Sequence, residues 1–231
     1  MKNPFAAAVL ATAFVLCGPV HAGRPLQTED AGVLDRAACE VELSASRERQ
    51  EASAATGVGR AQFGCGVGLR SQIAFSVAME QAEGDRSHHA ALSGKTWLRE
   101  LTEEDTGITI AWAAGFLHPH GRQLDREAYE VRAVVTHPVG RWLLHGNLGW
   151  LRSQTEHRDS TVWGAAIERL GLLGPIDAMF EFFGESGEKA WANAGLRWNA
   201  VPGQVFVDGS YGRQTGREGG SLVTLGLKLA F

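Results

Sequence analysis

The last eleven residues, SLVTLGLKLAF (221–231), set Val223, Leu225, Leu227, Leu229 and Phe231 at every second position, with Thr224, Gly226, Lys228 and Ala230 between them. Period two belongs to an extended strand, whose successive side chains point to opposite faces. One face of this strand is wholly apolar; the other is small or charged. The pattern recurs upstream. Ile73, Phe75, Val77 and Met79 oppose Ala74, Ser76, Ala78 and Glu80; Ile108, Ile110, Trp112, Ala114 and Phe116 oppose Thr109, Ala111 and Ala113. Tyr129, Val131, Ala133 and Val135 oppose Glu130 and Arg132, and Trp142, Leu144, Gly146, Leu148 and Trp150 oppose His145 and Asn147. Ile176, Ala178, Phe180 and Phe182 likewise oppose Asp177 and Glu181, and Val205, Val207, Gly209 and Tyr211 oppose Asp208 and Ser210.

Turn-like connections near 137–140, 172–175 and 201–203 alternate with polar loops near 51–60, 84–88, 118–126, 154–160, 184–188 and 214–220. This predicts about twelve strands, at 39–50, 60–66, 72–83, 89–100, 107–117, 127–137, 141–153, 161–170, 175–184, 188–199, 204–213 and 219–231. Most have about the ten residues that a tilted strand needs to cross a bilayer. A soluble sandwich also alternates, but its second face would meet bulk water and carry long polar side chains. Here the second faces mix Ala, Gly and Ser with isolated charges, which suits a narrow interior. The expected fold is all-β, a transmembrane antiparallel up-and-down β-barrel of about twelve strands, an even number that brings both ends to one side. Trp112, Trp142, Trp150, Trp163, Trp198 and Tyr211 are expected in interfacial aromatic girdles.

Composition agrees. The 231 residues are 44% hydrophobic and 21% charged, with mean hydropathy −0.12 and pI near 6.1. Outside the N-terminus no window offers the roughly 20 apolar residues of a spanning helix. A formal charge of −4 gives no electrostatic reason to expect nucleic acid. Lys2, the apolar run 5–16 and Val20-His21-Ala22 read as an export signal over residues 1–22. Its removal leaves 209 residues with 21 basic and 26 acidic side chains, a formal −5. Cys17 leaves with it, and bulky Leu16 before it argues against lipidation. Cys39 and Cys65 remain, in a compartment where disulfides persist; one bridge is the simplest reading, two separate buried thiols the alternative.

Two resemblances add to this. The terminal strand, ending on Phe231, resembles the final strand of bacterial outer-membrane barrels, which implies that Phe231 is an assembly signal read by the barrel-assembly machinery. That places the chain in the outer membrane of a Gram-negative bacterium, with the lipid bilayer as a partner. The start, Arg24, Pro25, Leu26, Thr28, Asp30 and Ala31, followed by Cys39 and Glu42, resembles the phenol-degradation meta-pathway transporter-like family of small outer-membrane barrels. This second resemblance covers essentially the whole mature chain and implies uptake of small hydrophobic, often aromatic, solutes.

If the apolar faces meet lipid, the opposite faces define a lumen holding Glu40, Glu42, Glu80, Lys95, Arg99, Glu130, Arg132, His145, Asn147, Glu168, Asp177, Glu181, Asn193, Arg197, Asp208 and Lys228. These charges either pair to fill the barrel or guide a solute. Residues 23–38 are read as a lead-in or a partial plug, and 39–231 as the barrel. Cys39 opens strand one and Cys65 closes strand two, so a bridge would staple the first hairpin at the periplasmic rim. The leading function is a transporter or channel for small solutes, without chemistry, cofactor or metal. The other classes are a plugged structural or adhesion barrel and a lipid hydrolase with a rim Ser/His site. Ser87, His88, His89, His118, His120 and His157 fall at or near expected outer loops, but none sits in a nucleophile motif. His88-His89 and His118-Pro119-His120 lack a third metal ligand at telling spacing. Gly64-Cys65-Gly66-Val67-Gly68 reads as a strand-to-strand turn, not a nucleotide loop.

Overall fold

The computed structural model describes residues 26–50, 55–119, 125–216 and 219–231. Residues 1–22, Arg24, Pro25 and His120 lie outside the described residues. Twelve strands follow in chain order: β1 (Cys39–Arg49), β2 (Thr56–Gly68), β3 (Ser71–Ala82), β4 (Asp85–Arg99), β5 (Gly107–Pro119), β6 (Asp125–Val139), β7 (Trp142–Ser153), β8 (Arg158–Leu173), β9 (Ile176–Glu185), β10 (Trp191–Val201), β11 (Val205–Gln214) and β12 (Ser221–Ala230). Each pairs antiparallel with its neighbours in sequence, and β12 pairs with β1, so the sheet closes into a barrel with no free edge. Among the described residues no helix is long and apolar enough to cross a membrane.

The alternation sorts side chains as the period requires. Phe75, Val77, Leu148, Trp150, Phe180, Phe182, Leu225 and Phe231 are exposed on the outer wall, while the intervening Ser76, Asn147, Glu181 and Thr224 are buried inside. Trp142 and Trp198 stand exposed near one rim, and Trp150, Trp163 and Tyr211 toward the other. Trp112 instead sits in mid-strand over Gly94, where an added Cβ would come 2.8 Å from its ring.

Cys39 and Phe231 exchange both backbone hydrogen bonds, at 2.7 and 2.9 Å, which closes the barrel. With its N–H and C=O turned toward β12, Cys39 faces Cys65 across β1 and β2 as a non-hydrogen-bonded pair, the class of closest approach. Their Cα atoms are 4.1 Å apart and the sulfurs are bonded, stapling the first hairpin. The barrel ends and the turns after β2, β4, β6, β8 and β10 share this terminal rim; the remaining connections share the opposite, loop rim.

Two expectations need correction. The stretch 64–68 is not a turn but the end of β2, which continues to Gly68 before the turn at Leu69-Arg70. Strand β4 starts at Asp85 rather than 89, because Glu83-Gly84 (φ 51° and 93°) makes a two-residue turn with both central φ angles positive. Ser87 and His88 therefore belong to a strand and not to a loop, and join His89 on it.

Candidate functional site

The chain enters the barrel before it builds it. From Gln27 to Arg36 the N-terminal segment sweeps across the inner wall from β9 to β2, with Ala31, Thr28, Asp30 and Leu34 buried. Its backbone groups, which an irregular strand cannot pair with itself, are met by wall side chains. Glu181 accepts from the N–H groups of Gln27 (2.9 Å) and Thr28 (2.8 Å) and from Asn193 (2.8 Å). Asn147 pairs reciprocally with Glu29, accepting its N–H at 2.7 Å and donating to its C=O at 2.8 Å. Thr136 accepts from Ala31 N–H, while Thr109 and the Trp97 indole donate to Ala31 C=O. Gln72 accepts from Leu34 N–H, and Arg36 bridges to Gly66 before β1 begins. Gly164 makes room for this path, since a Cβ there would lie 2.6 Å from Thr28 Oγ1.

Two acids of the segment face wall cations. Lys95 Nζ lies 2.6 Å from Glu29 and donates to Asp30 C=O at 3.1 Å. Enclosure disfavours the charged form of both carboxyls, but Lys95 outweighs it at Glu29, and Lys95, His145 and Lys228 together outweigh it at Asp30. Both are held below their ordinary values of 4.5 and 3.8.

Most charges expected in the lumen point into it and pair. Lys228 is ion-paired with Glu40 and lies 3.7 Å from Glu42; all three are buried. Arg197 pairs with Glu168 at 2.9 Å, and His145 Nε2 approaches the same carboxylate at 3.6 Å while its Nδ1 meets Thr136 Oγ1. Arg132 pairs with Glu130 at 2.5 Å and reaches Asn147 and Gln27 C=O. Asp208 is buried behind Gly226, where a side chain would collide with its carboxyl. Asp177 lies near the terminal rim, accepting from Gly171 N–H. Arg99 is the exception. Beyond an irregularity in the β4–β5 register it turns out to the terminal rim, 55% exposed and paired with Asp105. A bulge shifts the phase of alternation, which the sequence period does not reveal.

These groups do not fill the barrel. Along β1 to β5 many inward residues are small, among them Ser44, Ser46, Ala74, Ser76, Ala91, Ser93, Ala111 and Ala113, and beside the N-terminal segment they leave a cavity of about 1250 Å³. Its lining runs from Ser46 and Val58 toward the loop rim to Glu103, Glu104 and Arg141 at the terminal rim. Glu42, Arg60, Lys95, Glu130 and Arg132 put both signs of charge along it.

Glu80 faces the lumen toward the loop rim, 3.7 Å from His89 Nε2. His89 also meets Ser87 and Glu127. Glu127 carries no signal in the sequence: it has the parity of outward Tyr129 and Val131, and it reaches the lumen where the β5–β6 register shifts and leaves it out of the ladder. Gln72 and Thr136 are equally unmarked, whereas Thr109 lies on the polar face of its strand and Thr28 belongs to the N-terminal motif. His157 is in an exposed turn, and the side chain of His118 is not described. Among the described residues no three His, Cys, Asp or Glu side chains could hold a metal together.

Solved structures share this architecture. The KdgM porin matches with TM-score 0.59 at 10% identity, over 82% of this chain and 99% of that one. The COG4313 outer membrane channel from Pseudomonas putida F1 matches with 0.59 at 11% identity, over 89% and 100%. The outer membrane phospholipase A from Escherichia coli matches with 0.51 at 8% identity, over 90% and 94%. At these identities the likeness is one of fold. Among curated proteins none matches the sequence. A family model does, over residues 10–231, and the chain belongs to that family, described as "Uncharacterised conserved protein UCP029691".

Proposed function

We propose that the protein is an outer-membrane channel for small solutes, with its N-terminal segment serving as a partial plug. The cavity that opens at the terminal rim and runs up the lumen as far as Ser46 and Val58 carries this reading. The outward apolar belt supports a bilayer around it, and porins of the same fold support the class. Spread over a membrane height of about 25–30 Å, 1250 Å³ gives a mean cross-section of roughly 40–50 Å². That passes a molecule about one six-membered ring wide. Leu26, Val33 and Leu34 on the plug side face the Ser- and charge-lined wall, so an amphiphilic solute such as a small aromatic acid fits both surfaces. This agrees with the resemblance of the N-terminal motif to the phenol meta-pathway transporters. Its Thr28, Asp30 and Ala31 are residues that dock the plug.

In this scheme residues 1–22 export the chain, Phe231 directs its assembly, and the terminal rim faces the periplasm. Solute-driven swelling of liposomes carrying the protein tests the channel, with Glu42→Ala and Arg132→Ala as lining probes. Flux of single-ring solutes that these changes alter is the expected result. One observation favours a second reading, a sealed structural barrel: the plug is hydrogen-bonded along nearly its full length. Equal swelling with and without inserted protein would select it.

A further inference from the structure

We propose that Ser87, His89 and Glu127 form a serine esterase site at the loop-side mouth of the lumen, acting on small carboxylic esters. The channel reading does not require it, and it does not require the channel; access from the loop rim suffices. Ser87 and His89 are two residues apart on β4, so both side chains project to the same, inner face. Ser87 Oγ lies 3.1 Å from His89 Nε2, and His89 Nδ1 lies 3.1 Å from both carboxylate oxygens of Glu127. An ionised carboxylate only accepts, so the proton sits on Nδ1 and the Nε2 lone pair is turned to the serine hydroxyl. Nucleophile, base and orienting acid thus stand in the sequence of contacts that activates a serine.

The acid comes from two strands away. Glu127 leans from β6 across β5 to reach His89, and it crosses at Gly115, where even a Cβ would already be in contact with its Oε2 at 3.5 Å. A larger side chain at 115 would stand in that path. The β5–β6 register also shifts between Gly115 and Phe116, which sets Glu127 apart from the plain ladder. A cavity of about 200 Å³ opens beside the imidazole, lined by Arg60, Ser76, Glu80, His89 and Glu127; Ser87 is not part of that lining and stands two residues further toward the loop rim on β4. Its size suits a short ester, its place in the lumen excludes bilayer lipids, and its two carboxylates disfavour anionic substrates. Arg60 in that lining adds a positive charge to the cavity.

The reaction balances without a further reagent than water. Ser87 Oγ bonds to the ester carbonyl carbon and its proton passes to His89 Nε2; the carbon–alkoxy bond breaks and the departing oxygen takes that proton. Water then attacks the acyl-serine, giving a proton to Nε2; the acyl–Oγ bond breaks, Oγ is reprotonated, and a carboxylic acid leaves.

The test uses the full chain in detergent, each variant first shown to be heat-modifiable on a gel. p-Nitrophenyl acetate reports turnover, and a fluorophosphonate followed by peptide mass analysis reports the nucleophile. The expected results are an adduct on Ser87 and a loss of turnover of about 100-fold or more in both Ser87→Ala and His89→Asn. Glu127→Gln and Gly115→Leu, which act through the histidine, should lower kcat with KM unchanged. Turnover no faster than the detergent blank, turnover that survives Ser87→Ala, or an adduct only on another serine would overturn the proposal.

Discussion

Replacing Glu181 by alanine should unlock the N-terminal segment. Glu181 is fully buried and its carboxylate receives three donors, two of them backbone N–H groups of the segment itself. A hydrogen bond to a charged group contributes about 1.5–3 kcal/mol, so losing the two segment bonds removes roughly 3–6 kcal/mol from docking. Water entering the vacated lumen recovers part of this, leaving roughly 2–4 kcal/mol. That raises the undocked-to-docked ratio about 30- to 900-fold. In planar bilayers the variant should show frequent excursions to a larger conductance that the parent protein rarely visits. Glu181→Gln, which keeps one carbonyl acceptor, should fall between the two. The reasoning is refuted if Glu181→Ala inserts normally and its conductance record matches that of the parent.

Other outcomes follow from the same contacts. Gly164→Val places a side chain against Thr28 without removing any charge, and should reproduce the excursions of Glu181→Ala in the same recordings. Acidification should do so reversibly. Carboxyls held low in the docked state favour docking fully above their ordinary values, and that contribution is lost as pH falls through the lowered ones. Larger steps should therefore appear once pH falls below those ordinary values of 4.5 and 3.8, with a modest amplitude because Glu29 is 42% exposed to the lumen. Reducing the Cys39–Cys65 bond, which spans 26 residues, removes up to about 3.5 kcal/mol of chain-entropy stabilisation. The temperature at which the folded band disappears on a gel should fall. Deleting Phe231 removes both hydrogen bonds to Cys39 and should lower the yield of heat-modifiable protein.

The strands were readable because a barrel in lipid forces every second side chain outward and apolar, and residues such as Leu225 and Phe180 report that directly. Strand ends were harder. Ser87 and His88 are polar because β4 continues past the apolar belt, so their polarity reads as a loop. Arg99 was assigned inward by parity alone, and an irregularity turned it out. Within the lumen, the paired charges could be gathered from the polar faces, but not their partners. Nothing in the sequence ties Gln27 to Glu181, 154 positions away, or Glu127 to His89 across an intervening strand. Those contacts depend on closure and register, which emerge only when β12 meets β1.

The central claim is a solute path beside a docked N-terminal segment, and single-channel recording tests it most directly. The full chain and a form lacking residues 23–34 would be compared in the same bilayer. The account predicts small, stepwise conductance from the full chain and a larger, steadier one from the shortened form. Silent bilayers from both, with insertion verified, would contradict it.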